Sequence, residues 1–351
     1  MKAGLKGLLA VVIGVALVAG VLVGPASASL SLFQSFTGPE GVSTDGCGSN
    51  TATCTLISNI PTGSTIQAAF LYSSTFSAST DPNGTSLSLG AASVTPTFTA
   101  LGQNLGLQAW RADVTAFVQA NITLGANTTW TANEGNKTFN IDGEALVIVF
   151  SNPARPTQTV FILDGFSSSA GDNSKVVTNP LPAGFTAQMF IGDGFSFDGT
   201  DPHNPTTPCP GPAGQCSSIT LNGTTLTNSA GHCDDDQDAT CANGTLITVG
   251  GSNAGPHNDP FSPLNPTIGQ DHEAYDLSNI LNVGDTTLNL TTVNPSNNDN
   301  IFLEVFDISG TAQVNCDPNC NVSKTPEPGS LVLLGAGLVG LGVYFRRGRR
   351  R

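Results

Sequence analysis

The chain opens and closes on unbroken apolar runs, and between them apolar residues come in short bursts. Leu8 to Val23 and Ser330 to Phe345 are the two long runs. The bursts between them are strand-sized. Ile66 to Tyr72, Leu87 to Leu89, Val94 to Phe98 and Thr128 to Thr131 predict the early strands. Trp110 to Ala112 reads as a strand end, and Asp113 is placed to cap a short helical turn through Val114, Phe117 and Val118. Ala145 to Phe150 and Val160 to Leu163 are continuously apolar, the pattern of strands buried on both faces, and are expected in the middle of one sheet. Further strands are predicted at Ala187–Ile191, Ile219–Leu221, Leu246–Val249, Thr286–Thr292 and Ile301–Phe306. The stretches 166–182, 195–217 and 250–270 read as loops. About a dozen short strands with no long amphipathic helix predict an all-β fold, a β-sandwich of jelly-roll-like kind with long clipped loops. No internal repeat is read, and the last two strands are expected to rejoin the first sheet in a single domain, 29–325.

The two long runs read as addresses. Lys2 and Lys6, the apolar run and Ala26-Ser27-Ala28 make a signal peptide over 1–28, for removal by signal peptidase. At the other end, 16 residues (330–345) form a helix of about 24 Å, somewhat short of the ~30 Å hydrocarbon core. Five arginines in the last six residues hold that end on the cytoplasmic side as a transmembrane helix and basic tail. Pro326-Glu327-Pro328, the short Gly-rich span and the terminal arginines together resemble the PEP-CTERM sorting signal of Gram-negative bacteria, here residues 326–351. The resemblance implies an inner-membrane precursor, cleavage by exosortase near the Pro-Glu-Pro, and a final place at the cell surface or outside the cell. Gly63 to Tyr72, Asp113-Val114-Thr115, Asp142 to Val147, Ile162 to Phe166 and Tyr275 to Leu303 are similar to an uncharacterised family of exported bacterial and archaeal β-domains, which implies fold and export only.

Charge changes the picture of partners. With both addresses set aside, the body holds Arg111, Lys137, Arg155, Lys175 and Lys324 against 25 acids, a net of −20. Such a surface repels nucleic acid and anionic lipid. Eight cysteines fall in four close pairs, Cys47/Cys54, Cys209/Cys216, Cys233/Cys241 and Cys316/Cys320. Export favours disulfides over zinc, and closure entropy favours the four local pairings among the many possible.

Candidate chemistry is sparse. Asp234, Asp236 and Asp238 have the alternate spacing that begins a Ca²⁺ loop, but Ala239 stands in the turn-glycine position and Thr245 in that of the bidentate acid. Asp193 to Asp201 is a second, looser candidate for Ca²⁺. His203, His232, His257 and His272 follow no metalloprotease spacing. Asp142 with Glu144, or Glu304 with Asp307, supply the two carboxylates a glycosidase needs, as chance pairings in an acidic chain also would. Asn-x-Ser/Thr sequons recur, Asn222 and Asn289 among them. No catalytic or cofactor motif is read. The expectation is a non-enzymatic surface or matrix protein associated with exopolysaccharide or biofilm. The alternatives are a calcium- or carbohydrate-binding adhesive module and a secreted glycan-active hydrolase.

Overall fold

A computed structural model describes residues 30–48, 52–75, 80–104, 106–135, 140–167, 171–194, 217–230, 247–248, 273–294 and 300–314. These residues form four antiparallel sheets. The first inner sheet runs in the order β2 (Glu40–Gly48), β10 (Ile141–Ser151), β4 (Thr65–Thr75), β8 (Leu107–Asp113), β7 (Thr99–Asn104). The first outer sheet is β3 (Thr53–Asn59), β9 (Asn127–Asn133), β5 (Ser86–Leu89), β6 (Ala92–Val94). The second inner sheet is β1 (Ser31–Gly38), β11 (Gln158–Asp164), β19 (Asn300–Ser309), β13 (Ala187–Gly194), β16 (Ile247–Thr248), with β17 (Ala274–Asp276) also on β13. The second outer sheet is β15 (Thr224–Ala230), β14 (Ser217–Leu221), β18 (Thr287–Val293), β12 (Asn173–Thr178), β20 (Ala312–Val314).

The four sheets stack as four layers with three apolar cores. Leu71, Leu146 and Ile148 of the first inner sheet pack on Leu56, Leu87 and Trp130 of the first outer sheet. Phe161, Met189 and Phe306 of the second inner sheet pack on Ile219, Leu288 and Leu290 of the second outer sheet. The inner sheets face each other through Phe70, Tyr72 and Val147 on one side and Ile162, Phe190, Phe302 and Val305 on the other. Strand β10 therefore sends its even and odd residues into different cores, which is why its sequence is apolar without alternation. The outer strands keep the alternation, with Thr128, Trp130 and Ala132 of β9 buried and Asn127 and Thr129 exposed.

The two sandwiches have the same strand order. Strands β2 to β10 pair as 2-10-4-8-7 and 3-9-5-6. Strands β11 to β19 repeat this as 11-19-13 with β17 and β16 beyond, and as 12-18-14-15. Each is a jelly-roll order. Local detail repeats as well. Gly125 N–H donates to Ile60 O at 2.7 Å and Gly284 N–H to Leu181 O at 2.9 Å. Asp113 Oδ1 accepts from Thr115 N–H at 2.8 Å, and Asp276 Oδ1 from Ser278 N–H at 2.9 Å. The first of these Asp turns leads into helix α1 (Thr115–Asn121), the second into a 3-10 turn at Leu277–Asn279.

Several expectations change. A repeat exists, in topology more than in residue identity. The apolar runs of β10 and β11 lie in different sheets that face each other, because Pro153 and Pro156 turn the chain from one sandwich to the next. The last two long strands, β18 and β19, pair with β12, β14, β11 and β13 and do not rejoin the sheet of β4. Strands β1, β2, β3, β7, β12, β15, β17 and β20 form where no strand was expected. Phe98 lies beyond the end of β6.

Candidate functional site

The carboxyl pairs suggested by the sequence are inside the protein. Asp142 and Glu144 lie near the start of β10, and a bulge between Ile141 and Gly143 adjusts the register there. Gly143 has φ +142, and a Cβ at that position would overlap the Cys47 carbonyl oxygen. Glu144 is fully buried beside the Cys47–Cys54 disulfide, with Oε2 at 3.6 Å from Cys54 Sγ and Oε1 accepting from Ser73 Oγ at 3.4 Å. Glu134, which follows β9, joins the group, its backbone N–H held by Ala52 O at 2.9 Å. Burial raises the Glu134 carboxyl, and the neighbouring Glu144 and Asp142 push it the same way. Burial also raises Glu144. Two buried carboxyls in contact favour a shared proton over two charges. Sequence reasoning missed Glu134, because nothing in its neighbourhood marks it as facing β10.

The second pair is split between faces. Glu304 of β19 points into the core of the second sandwich, accepts from Ser174 Oγ at 2.6 Å, and is pushed by burial up to about 8. Asp307 faces Arg155, whose Nη2 donates to it at 3.0 Å while Nε donates to Glu40 O at 2.6 Å. Burial raises Asp307 to about 6 against the pull of Arg155. All four of these carboxyl-bearing residues are buried.

Two of the few cations join the inner sheets. Arg111 of β8 pairs with Asp164 at the end of β11 and lies 3.3 Å over the Phe33 ring of β1. The Tyr72 hydroxyl of β4 donates to the same Asp164 at 3.0 Å. Burial raises the Asp164 carboxyl, and Arg111 opposes the shift. Arg155 and Asp307 bind the opposite end of β11, since Asp307 pairs in register with Val160. Removing one partner of such an enclosed pair leaves the other uncompensated.

What the molecule presents outward on its two outer sheets is hydroxyl and amide. On the first, Thr55 lies opposite Thr131 and Thr131 opposite Ser88, with Asn59 opposite Asn127. On the second, Thr220 lies opposite Thr291 and Asn173 opposite Thr291, with Lys175 opposite Asn289. Asn59 Nδ2 donates to Asn127 Oδ1 at 2.8 Å, and Thr291 Oγ1 to Asn173 Oδ1 at 2.9 Å.

Cys47 and Cys54 are joined as expected. Cys209, Cys216, Cys233, Cys241, Cys316, Cys320, the proposed calcium ligands Asp234, Asp236 and Asp238, the four histidines, and Pro326-Glu327-Pro328 lie outside the described residues. Of the second calcium candidate, Asp193 and Gly194 are described, and both belong to β13. Among the described residues no helix is long and apolar enough to cross a membrane.

No curated protein matches the chain. Among solved structures, a peptide-N4-(N-acetyl-β-D-glucosaminyl) asparagine amidase is similar at TM-score 0.25 and 12% identity, over 79% of this chain and 100% of that one. A glycoside hydrolase family 86 β-porphyranase from the human gut bacterium Bacteroides plebeius is similar at TM-score 0.17 and 8% identity, over 84% of this chain and 38% of that one. Likenesses at these scores establish neither a shared fold nor a shared activity. Residues 324–351 match the PEP-CTERM protein-sorting motif, so the chain carries the sorting signal of an exported exosortase substrate with a membrane-anchored precursor.

Proposed function

We propose that the double sandwich is a non-enzymatic module of the cell surface or extracellular matrix that associates with exopolysaccharide. The observation that carries this reading is the pair of outer sheets, whose exposed faces are cross-strand rows of Thr, Ser and Asn with little charge. Such faces offer hydrogen-bond donors and acceptors matched to sugar hydroxyls. They remain compatible with a body whose net charge of −20 keeps copies apart. Burial of the paired acids supports the non-enzymatic part, since a glycosidase needs its two carboxyls on either side of an accessible bond.

The test is fractionation of producing cells. The processed protein is expected in the extracellular polysaccharide fraction, resistant to a salt wash and released when the polysaccharide is degraded. Replacing Pro326-Glu327-Pro328 by alanines is expected to leave the protein in the membrane fraction. Processed protein that stays freely soluble beside intact polysaccharide refutes the association.

A further inference from the structure

A shallow, open cleft of about 640 Å³ lies on the second outer sheet. Its floor is Thr287, Asn289 and Thr291 of β18 with Thr220 of β14. One wall is the β14–β15 turn at Asn222, and the other is the turn through Asp285 that precedes β18. The first wall is set by Asn222-Gly223, with φ +47 and +80, the left-handed pair of a tight hairpin turn. The Asn222 side chain ties that turn to the floor. Its Nδ2 donates to Thr287 O at 3.2 Å, and its Oδ1 accepts from Asn289 N–H at 2.9 Å. Asp285 Oδ2 closes its own turn by accepting from Asn282 N–H at 2.8 Å. The walls are thus built before any ligand arrives, which lowers the ordering cost of binding.

The polar groups left inside suit one ligand class. The hydroxyls of Thr220 and Thr287 have no protein partner among the described residues. Asp285 keeps its second oxygen, and Asn289 keeps the second proton of its amide. Hydroxyls, an amide and one carboxylate match the vicinal hydroxyls of a sugar ring held by its edge. The lining contains one anion, Asp285, and no cation; Lys175 lies beside it, opposite Asn289, and it is the body's net charge of −20 that disfavours a polyanionic chain. The lining contains no aromatic ring, so the apolar face of a sugar has no platform.

We infer that this cleft is a binding site for a segment of neutral polysaccharide. The inference rests on the matrix reading above and names where that contact is made. A repeating polymer offers this cleft many equivalent places to make the same contact.

The processed protein, purified from the extracellular fraction, is run by affinity electrophoresis through gels containing dextran, galactomannan or levan, with alginate as the anionic control. The variants are Thr220→Val with Thr287→Val, which keeps shape and strand preference while removing both hydroxyls, and separately Asp285→Asn. The wild type is expected to be retarded by at least one neutral polymer and not by alginate. The double variant should bind that polymer roughly ten-fold more weakly at an unchanged melting temperature, as expected for two lost hydrogen bonds. Equal retardation of wild type and both variants overturns the cleft and leaves the matrix reading standing. A wild type retarded by no neutral polymer, yet sedimenting with the producer's own exopolysaccharide, also overturns the cleft. A wild type that does neither overturns the matrix reading along with it.

Discussion

The two sandwiches share a strand order but close their edges differently. In the first, the sheets end at β2 and β3, and side chains sew these edges together. Asp45 Oδ2 accepts from Ile57 N–H at 2.5 Å, and Ser43 Oγ from Asn59 N–H at 3.3 Å. In the second, the equivalent strands β11 and β12 are covered by whole extra strands, β1 and β20. Strand β1 precedes the first sandwich in sequence yet pairs in the second, so the chain crosses between the two at both ends of β2–β10. An exposed edge invites pairing with another chain, and a polar side chain or an added strand each removes that invitation. One topology thus tolerates two solutions, and the second ties the N-terminal strand to the later half.

The largest expected effect tests whether the halves are one cooperative unit. Trp130 is fully buried in the first core, with Nε1 donating to Ser58 Oγ at 2.9 Å. Trp130→Ala should cost about 4 kcal/mol. Because the inner sheets share a third core, calorimetry should show a single transition moved down. Two transitions with only one displaced would mean that the halves unfold separately.

The next test separates the buried acids. Burial holds Glu304 at about 8 against an ordinary 4.5. A carboxyl raised in the folded state contributes stability that is full below its ordinary value and is lost as pH rises through its folded value. The melting temperature should therefore fall between pH 5 and pH 9. Glu304→Gln should be nearly neutral at pH 5 and more stable than wild type at pH 9, by about 4 kcal/mol. A flat difference between the two proteins across that range counts against a protonated Glu304.

Smaller effects concern the first sandwich alone. Replacing Cys47 and Cys54 together by alanine should cost about 2.5 kcal/mol, as a short closed loop implies. Urea melts of the two proteins compare this directly. Asp45→Ala should cost about 1–2 kcal/mol for the Ile57 N–H left without its acceptor. It should also bring concentration-dependent association in light scattering, since the β3 edge is then open. A variant that stays monomeric at high concentration would show that Asp45 does not guard the edge.

The parts of the fold legible in the sequence are those with local causes. Alternation in Thr128–Thr131 and Thr286–Thr292, and its absence in Ala145–Phe150, follow from how many faces of each strand are covered. Strand β2 was hidden because Glu40–Gly48 is polar and glycine-rich. It is a strand because β10 pairs with it residue by residue, from Glu40 to Gly48. The duplication was within reach. Pro61, Gly63, Thr65 and Gln67 lead into β4 at the same spacing as Pro182, Gly184, Thr186 and Gln188 lead into β13. Loops of different length between the later strands break that register and conceal it. Of the buried acid cluster, Asp142 and Glu144 were visible as a pair, but not their enclosure, and Glu134 comes from a different strand end.

Sequence alone determined the C-terminal sorting signal, the all-β class and the acidic, disulfide-bearing body, because motif, strand periodicity and charge are properties of neighbouring residues. Only the tertiary structure decided which carboxyls are enclosed, which face is left as a carpet of hydroxyls and amides, and that the chain folds the same sandwich order twice. Those outcomes depend on strands 100 or more residues apart, such as Tyr72 meeting Phe302 and Arg155 meeting Asp307. A residue's own side chain does not specify which distant surface will cover it.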